Sequence, residues 1–367
     1  MQGVEGQWSG EMIIGGYEIP LNPSVLTSFN LFNSIHQSLP SLDVTFKDDG
    51  AHIINSLGIG DGTPISITLG DGKNGDTGSM SFKVVGDPQS KPGYSTEIVS
   101  FSAVLDHLPY MRKIVSGATK GTSGDAIAKV ASQAGLKTEI DPTNDSMVWL
   151  PNNKPLAAFV RHVAERGWAS ATSCMLTGVT DGSLLRYKDL DKIISGGASV
   201  EYGVNGIPVL QHVITSKSHV QNNIAGYGST STTLMGDGSF KELAKIGMRM
   251  IGNRAAAGAE MSASLGSLGG RIETRPLDAG NTHDKWAEAQ HQNRRIKSNF
   301  AFDVNILIDV LTDESKILNG SDLMLYSKAT GGILTSVTGS YIITSKVRSL
   351  MNNRYFEKLT LTAQSGG

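Results

Sequence analysis

The sequence predicts an α+β protein that is mainly β, with antiparallel β regions on either side of a small α+β domain. Three observations carry that prediction. Runs that alternate apolar and polar residues crowd both ends of the chain, the pattern of half-buried strands. Helical spacing of apolar residues is confined to the middle. Many of the 43 glycines sit beside polar residues between short runs, as at Asp49-Gly50, Asp61-Gly62, Asp71-Gly72 and Asp181-Gly182, which is the chemistry of tight turns. Glycine shows no fixed period, so a collagen-like repeat is excluded.

Residues 1–105 read as the first β domain. Leu42-Asp43-Val44-Thr45-Phe46 alternates and runs into the turn Asp48-Asp49-Gly50. Ile65-Ser66-Ile67-Thr68-Leu69, Ser81-Phe82-Lys83-Val84-Val85 and Glu97-Ile98-Val99-Ser100-Phe101 continue the series. One apolar face per run implies antiparallel strands closing a sandwich or barrel.

Residues 106–200 read as the α+β domain. Thr122-Ser123-Gly124-Asp125 offers capping oxygens, and Ile127, Val130, Ala131 and Ala134 follow at helical spacing. Gly135 is placed to stop that helix. A short strand over 136–140, a second helix and a hairpin around Thr180-Asp181-Gly182 complete the domain.

The second helix lies in WLPNNKPLAAFVRHVAERGW, residues 149–168. Pro155 suits its first turn and Gly167 its end. Leu156, Phe159, Val160, Val163 and Ala164 fall on one arc of the helix, and Arg161, His162, Glu165 and Arg166 on the other. That polar arc reads as a solvated face, with Arg161 and Glu165 an i,i+4 surface pair. Perturbed catalytic groups sit in clefts instead.

Residues 201–367 return to β. A strand is expected over 209–215, and Phe300 to Val310 is the cleanest alternation in the chain. Strands over 323–326, 341–347 and 355–362 follow, the last two joined through Asn352-Asn353. A Gly/Ala/Ser-rich insertion at about 228–283 interrupts the domain. Within it, Ala255 to Gly270 offers too little apolar surface to offset its ordering entropy, so it is expected to stay mobile until a neighbour covers it. A helix over 284–297 feeds the long strand.

Chemistry is sparse. A net charge of -2 lacks the basic excess of a nucleic-acid binder. The one cysteine, Cys174, excludes an internal disulfide and fits a reducing compartment. It sits in the strand-like run ATSCML, with nothing nearby to lower its pKa and make it a nucleophile. No apolar run approaches the ~20 residues of a membrane span, and MQGVEGQWSGEM lacks the parts of a secretion signal, so no membrane anchor is expected. His283 and His291 are two helical turns apart, too far to share a metal. DGKNGDTG at 71–78 fails calcium-loop spacing, with Lys73 at the third position and Phe82 at the twelfth. Signatures of serine hydrolases, phosphate-binding loops and dinucleotide folds are missing. The expectation is a non-enzyme with no catalytic, cofactor-binding or metal-binding residues, although a glycosidase's two carboxylates leave no sequence signature.

Certain stretches also match a known order of parts. Gly121-Thr122-Ser123-Gly124-Asp125-Ala126-Ile127-Ala128 through Gly135-Leu136 is followed by Trp149-Leu150-Pro151 and a helix carrying Phe159, Ala164 and Arg166. Residues 284–297, Phe300 to Val310, Gly320 and Gly339-Ser340-Tyr341-Ile342-Ile343 close the series. In that order they resemble the baseplate hub proteins of contractile phage tails and the hub module that begins type VI secretion spike proteins. The resemblance spans nearly the whole chain and lies in the ordering, since each motif is weak alone. The 228–280 segment has no counterpart in it, and no spike or lysozyme module follows, so the spike is expected on a separate chain.

The resemblance implies a homotrimer in which each subunit supplies two tube-like antiparallel β-barrel domains. Six such domains would surround a channel and match a hexameric tail tube to a threefold central spike. The implied partners are the tube or tube-initiator protein, the central spike protein and the tape-measure protein, with DNA only in transit. The implied location is the baseplate of the virion tail, assembled in the host cytoplasm. The family has no catalytic residues to carry over. Two other readings compete: a cell-wall glycan-binding protein, which should show clustered exposed aromatics, and a cell-wall hydrolase, which should depend on a carboxylate. Aromatics are only 6% of the chain and mostly occupy alternating strand positions.

Overall fold

Alternating residues in the first region become antiparallel strands. The structure, a computed structural model, describes residues 9–21, 25–48, 58–70, 76–91, 97–170, 173–216, 231–234, 240–243, 273–276, 283–286, 289, 302–310, 312, 314–327, 329, 331–351 and 354–363. The first strands are β1 (Ser9–Ile14), β2 (Tyr17–Pro20), β3 (Leu26–Ser34), β4 (Ser41–Asp48), β5 (Pro64–Gly70), β6 (Asp76–Lys91) and β7 (Glu97–Leu105). β4 follows its pattern closely: Leu42, Val44 and Phe46 are buried while Asp43 and Lys47 face out. β5 and β6 pair antiparallel with Gly70 opposite Asp76, and residues 71–75 between them lie outside the described residues.

The middle region carries α1 (Leu108–Arg112), β8 (Thr119–Gly121), α2 (Ser123–Ala134), β9 (Lys137–Ile140), β10 (Met147–Trp149), α3 (Leu156–Ala164), β11 (Met175–Val179), β12 (Leu184–Asp189) and α4 (Leu190–Ser195). α2 starts in a capping box, the Thr122 hydroxyl accepting from the Asp125 N–H and the Asp125 carboxylate from the Thr122 N–H. It ends at Gly135, whose φ of 74° is left-handed. α3 ends at Glu165 in right-handed geometry, so Gly167 is not its stop. A Cβ at Gly167 would collide with the Tyr187 hydroxyl, which makes packing the reason for glycine there.

The last region holds β13 (Val200–Gly203), β14 (Gln211–Ser216), β15 (Ser231–Leu234), β16 (Phe240–Leu243), β17 (Glu273–Pro276), β18 (Phe302–Ile308), β19 (Gly320–Met324), β20 (Tyr326–Ser327), β21 (Gly332–Ile333), β22 (Gly339–Met351) and β23 (Arg354–Ala363). The insertion contains a small sheet, β15 lying antiparallel to β16 and parallel to β17. Ala255–Gly270, His291, Asn352-Asn353 and the Asp49-Gly50 turn lie outside the described residues. The expected helix over 284–297 is described only at its start, where the Ala289 N–H bonds the Lys285 carbonyl at 2.8 Å.

The two β regions share one thirteen-stranded sheet. Its path runs β14-β18-β23-β22-β3-β4-β7-β6-β5-β1-β2, with β13 and β19 branching from β22. The two barrels expected from the resemblance are therefore not seen as closed rings among the described residues. The physical reason is the β22–β3 pairing, which joins Phe29–Ser34 to residues 345–350. It gives an edge of each region to the other instead of to its own ring. Strands β14 and β2 stand at the two ends of the path.

Apolar burial follows the sheet. One core packs Met12, Phe46 and Phe82 from the first region with Ile127, Phe159 and Tyr187 from the middle. A second gathers Tyr202, Phe302, Val304, Ile306, Leu359 and Leu361. A small third cluster, including Cys174, Leu176, Leu318 and Ile342, bonds the middle region to the last.

Candidate functional site

The polar arc of α3 is not a solvated face, which corrects the expectation from spacing. Arg161 is exposed and donates to the Ser38 hydroxyl at 2.6 Å. His162 is half-buried, stacked on Phe159 and edge-on to Trp286. Arg166 lies over the Trp286 ring at 4.9 Å, and Trp286 in turn packs on Trp149. The segment just before the long strand thus covers the helix, something helical spacing alone cannot reveal. Lys154 Nζ and Arg166 Nη1 both approach His162 Nδ1, at 2.7 and 2.9 Å, so that nitrogen accepts and carries no proton. Burial, then Arg166 and Lys154, push its pKa down to about 3. His283 is lowered too, chiefly by burial, and its Nε2 donates to the Arg166 carbonyl at 2.9 Å.

A buried charge cluster fastens the middle region to the sheet. Lys346 and Arg348 are two apart on β22, and Tyr355 and Glu357 two apart on β23, so each pair shares an inward face. Glu357 is fully buried, and its Oε1 takes Lys346 Nζ at 3.0 Å, Arg348 Nε at 3.3 Å and the Tyr355 hydroxyl at 2.6 Å. Arg348 Nη1 reaches Asp181 at 2.8 Å across the β11–β12 turn. Burial alone would raise the Asp181 pKa, but Arg348, Lys346, the Gly182 N–H and Asn33 together hold it low. Burial lowers Lys346, against the pull of Glu357. A parallel tie runs from Arg186, which grips Glu139 at 2.9 Å and reaches Asn319 at 2.8 Å. Of these residues, the sequence points only to Asp181, and to it only as part of a turn. The one signal of the others was charge at inward positions of alternating strands.

A cavity of about 660 Å³ lies between the α3–β11 side and the sheet. Hydroxyls line it: Thr344 bonds Thr362 at 2.7 Å, and Thr362 donates to Asp303 at 2.7 Å. Tyr110 borders it but is buried, so the cavity offers a saccharide no exposed aromatic platform. Cys174 is buried just before β11, its N–H donating to Asp189 at 3.1 Å. Among the described residues no His/Cys/Asp/Glu group could hold a metal, and no helix is long and apolar enough to cross a membrane.

The sheet ends differ from this interior. On β14 both faces are open: Val213 is 51% and Ile214 46% exposed, and Leu210 just before it is exposed as well. Tyr17 on β2 is likewise exposed. An edge strand with bare backbone and apolar side chains is a template for pairing with another chain.

In fold, the chain is similar to solved structures of phage tail proteins. No protein-family model and no curated protein matches it. Among solved structures it is similar to a 43 kDa tail protein of prophage MuSo2 from Shewanella oneidensis, with a TM-score of 0.62 and 11% identity over 96% of this chain and 98% of that one. It is similar too to a tail protein from Neisseria meningitidis MC58, with a TM-score of 0.61 and 12% identity over 97% and 96%. A chain of the half-lidded Francisella PdpA-VgrG complex matches at a TM-score of 0.50 and 10% identity, covering 98% of this chain and 59% of that one.

Proposed function

We propose that this protein is the structural hub of a phage or phage-like tail baseplate, a trimeric adaptor between a hexameric tail tube and a threefold central spike. One observation carries the reading: the likeness to two tail proteins covers 96–97% of this chain and 96–98% of theirs. In this reading 1–105, 106–200 and 201–367 are the working units, and the two β regions act as tube-like domains completed by neighbouring subunits. The exposed edges at β14 and β2 support it, because they are surfaces a neighbour can pair with. The buried charge cluster supports it as well, since it fixes the middle region rigidly against the sheet. The partners are the tube or tube-initiator protein, the spike and the tape-measure protein, DNA passes only in transit, and the protein is not an enzyme. Assembly takes place in the host cytoplasm. Quantitative mass spectrometry of purified tails tests the stoichiometry: three copies per particle are expected, and six copies, or none, would overturn the adaptor role.

A further inference from the structure

A cavity of about 370 Å³ opens where β3, the β11–β12 turn and the loop before β19 meet over β22. Its floor holds Arg348 and Lys346 against Asp181 and the underlying Glu357, and those charges cancel. The rim does not cancel. Lys137 and Lys316 are exposed and border the same cavity, and neither makes an ion pair among the described residues.

Inside, both amide atoms of Asn33 and Oε2 of the underlying Glu357 are left without a hydrogen-bond partner among the described residues. Asn33 is only 3% exposed and lines the cavity. The amide lies near Asp181 and helps to hold that carboxyl's pKa low. Lys346 uses two of its three N–H groups, on Glu357 at 3.0 Å and the Thr312 carbonyl at 3.1 Å. Buried donors are ordinarily satisfied.

We infer that this cavity binds a small oxyanion of the phosphate class, with Lys137 and Lys316 at its mouth and the Asn33 amide and Lys346 ammonium beneath. The chemistry selects the charge. A metal cation would face the unpaired Lys137 and Lys316 above carboxylates already engaged by Arg348 and Lys346, and an apolar ligand would strand the Asn33 amide. Lysine ammoniums suit a phosphate as point charges. A volume of about twelve waters, at about 30 Å³ each, admits the ion with part of its hydration shell. Bound there, the ion draws together three segments from all three regions of the chain, an effect independent of the proposed role in a tail.

The test is titration calorimetry of the whole chain with inorganic phosphate, against sodium chloride at equal ionic strength. The wild type should give a saturable binding curve that chloride does not. In the double variant Lys137→Gln, Lys316→Gln, affinity should fall at least tenfold while the melting temperature without phosphate stays unchanged, because both residues are exposed. Phosphate stabilises proteins generally by exclusion from their surface, so melting is followed in both proteins. A melting shift of equal size in wild type and variant overturns the proposal, as does the lack of any saturable heat in the wild type.

Discussion

A neutral His162 is the condition for packing α3 against Trp286, and that ties stability to pH. Unfolded, this histidine titrates near the ordinary value of about 6.5; folded, it is pushed down to about 3. As pH falls the unfolded chain takes up the proton first. The stabilising contribution is complete above the unfolded value and is lost as pH drops toward the folded one. Between pH 6.5 and 4.5 the expected loss is roughly 1–2 kcal/mol, well below the full value of 1.36 kcal/mol per unit because the ring is partly exposed. His162→Phe should flatten that part of the melting-temperature profile, and an unchanged slope would refute the assignment. A second expectation concerns Arg348. Arg348→Met leaves Asp181 and Glu357 short of a cation in a buried site, which should cost about 3–5 kcal/mol in urea denaturation. Sequence showed the identity of these residues but not their surroundings. The helical wheel put His162 outside because the residue that covers it, Trp286, is more than a hundred positions away.

Elements were legible where one face meets the core. β4, β5, β7 and β18 each alternate through their length, and α2 is announced by its capping box and terminal glycine. β3 hides from a period-two reading because its register slips between Leu26 and Ser28, and because Asn33 occupies an inward position. The strands of the insertion lie in a stretch whose composition suggests only a loop, and their partners are set by pairing across sequence, with β17 about forty residues from β15. The apolar arc of α3 was read correctly. Phe159 is almost wholly buried in the first core, so Phe159→Ala should open a cavity and cost roughly 3–5 kcal/mol. Urea denaturation measures it. A loss below about 1 kcal/mol would mean that the helix relaxes into the space.

At the scale of the molecule, the sheet has two ends that no other described residue covers. It ends at β14 and β2, and on β14 the described residues 211–215 are exposed on both faces. Leaving apolar edges open invites uncontrolled pairing, and proteins that stay monomeric blunt them with charge, proline or a covering element. β14 carries Val213 and Ile214 with no lysine between Gln211 and Ser216. This pattern makes sense if a neighbouring subunit closes the edge, and the sequence contained it without showing it, since exposure depends on what fails to pack there. We expect purified protein to show a threefold mass by light scattering, above micromolar concentration or in the presence of tube and spike proteins. The paired change Val213→Lys, Ile214→Lys adds charge to an already exposed strand, so it should leave melting nearly unchanged, within about 0.5 kcal/mol. It should also convert the trimer to a monomer. If that variant keeps the threefold mass, β14 is not the contact. If the unmodified protein stays monomeric even with its tube and spike proteins, the trimeric hub itself is wrong.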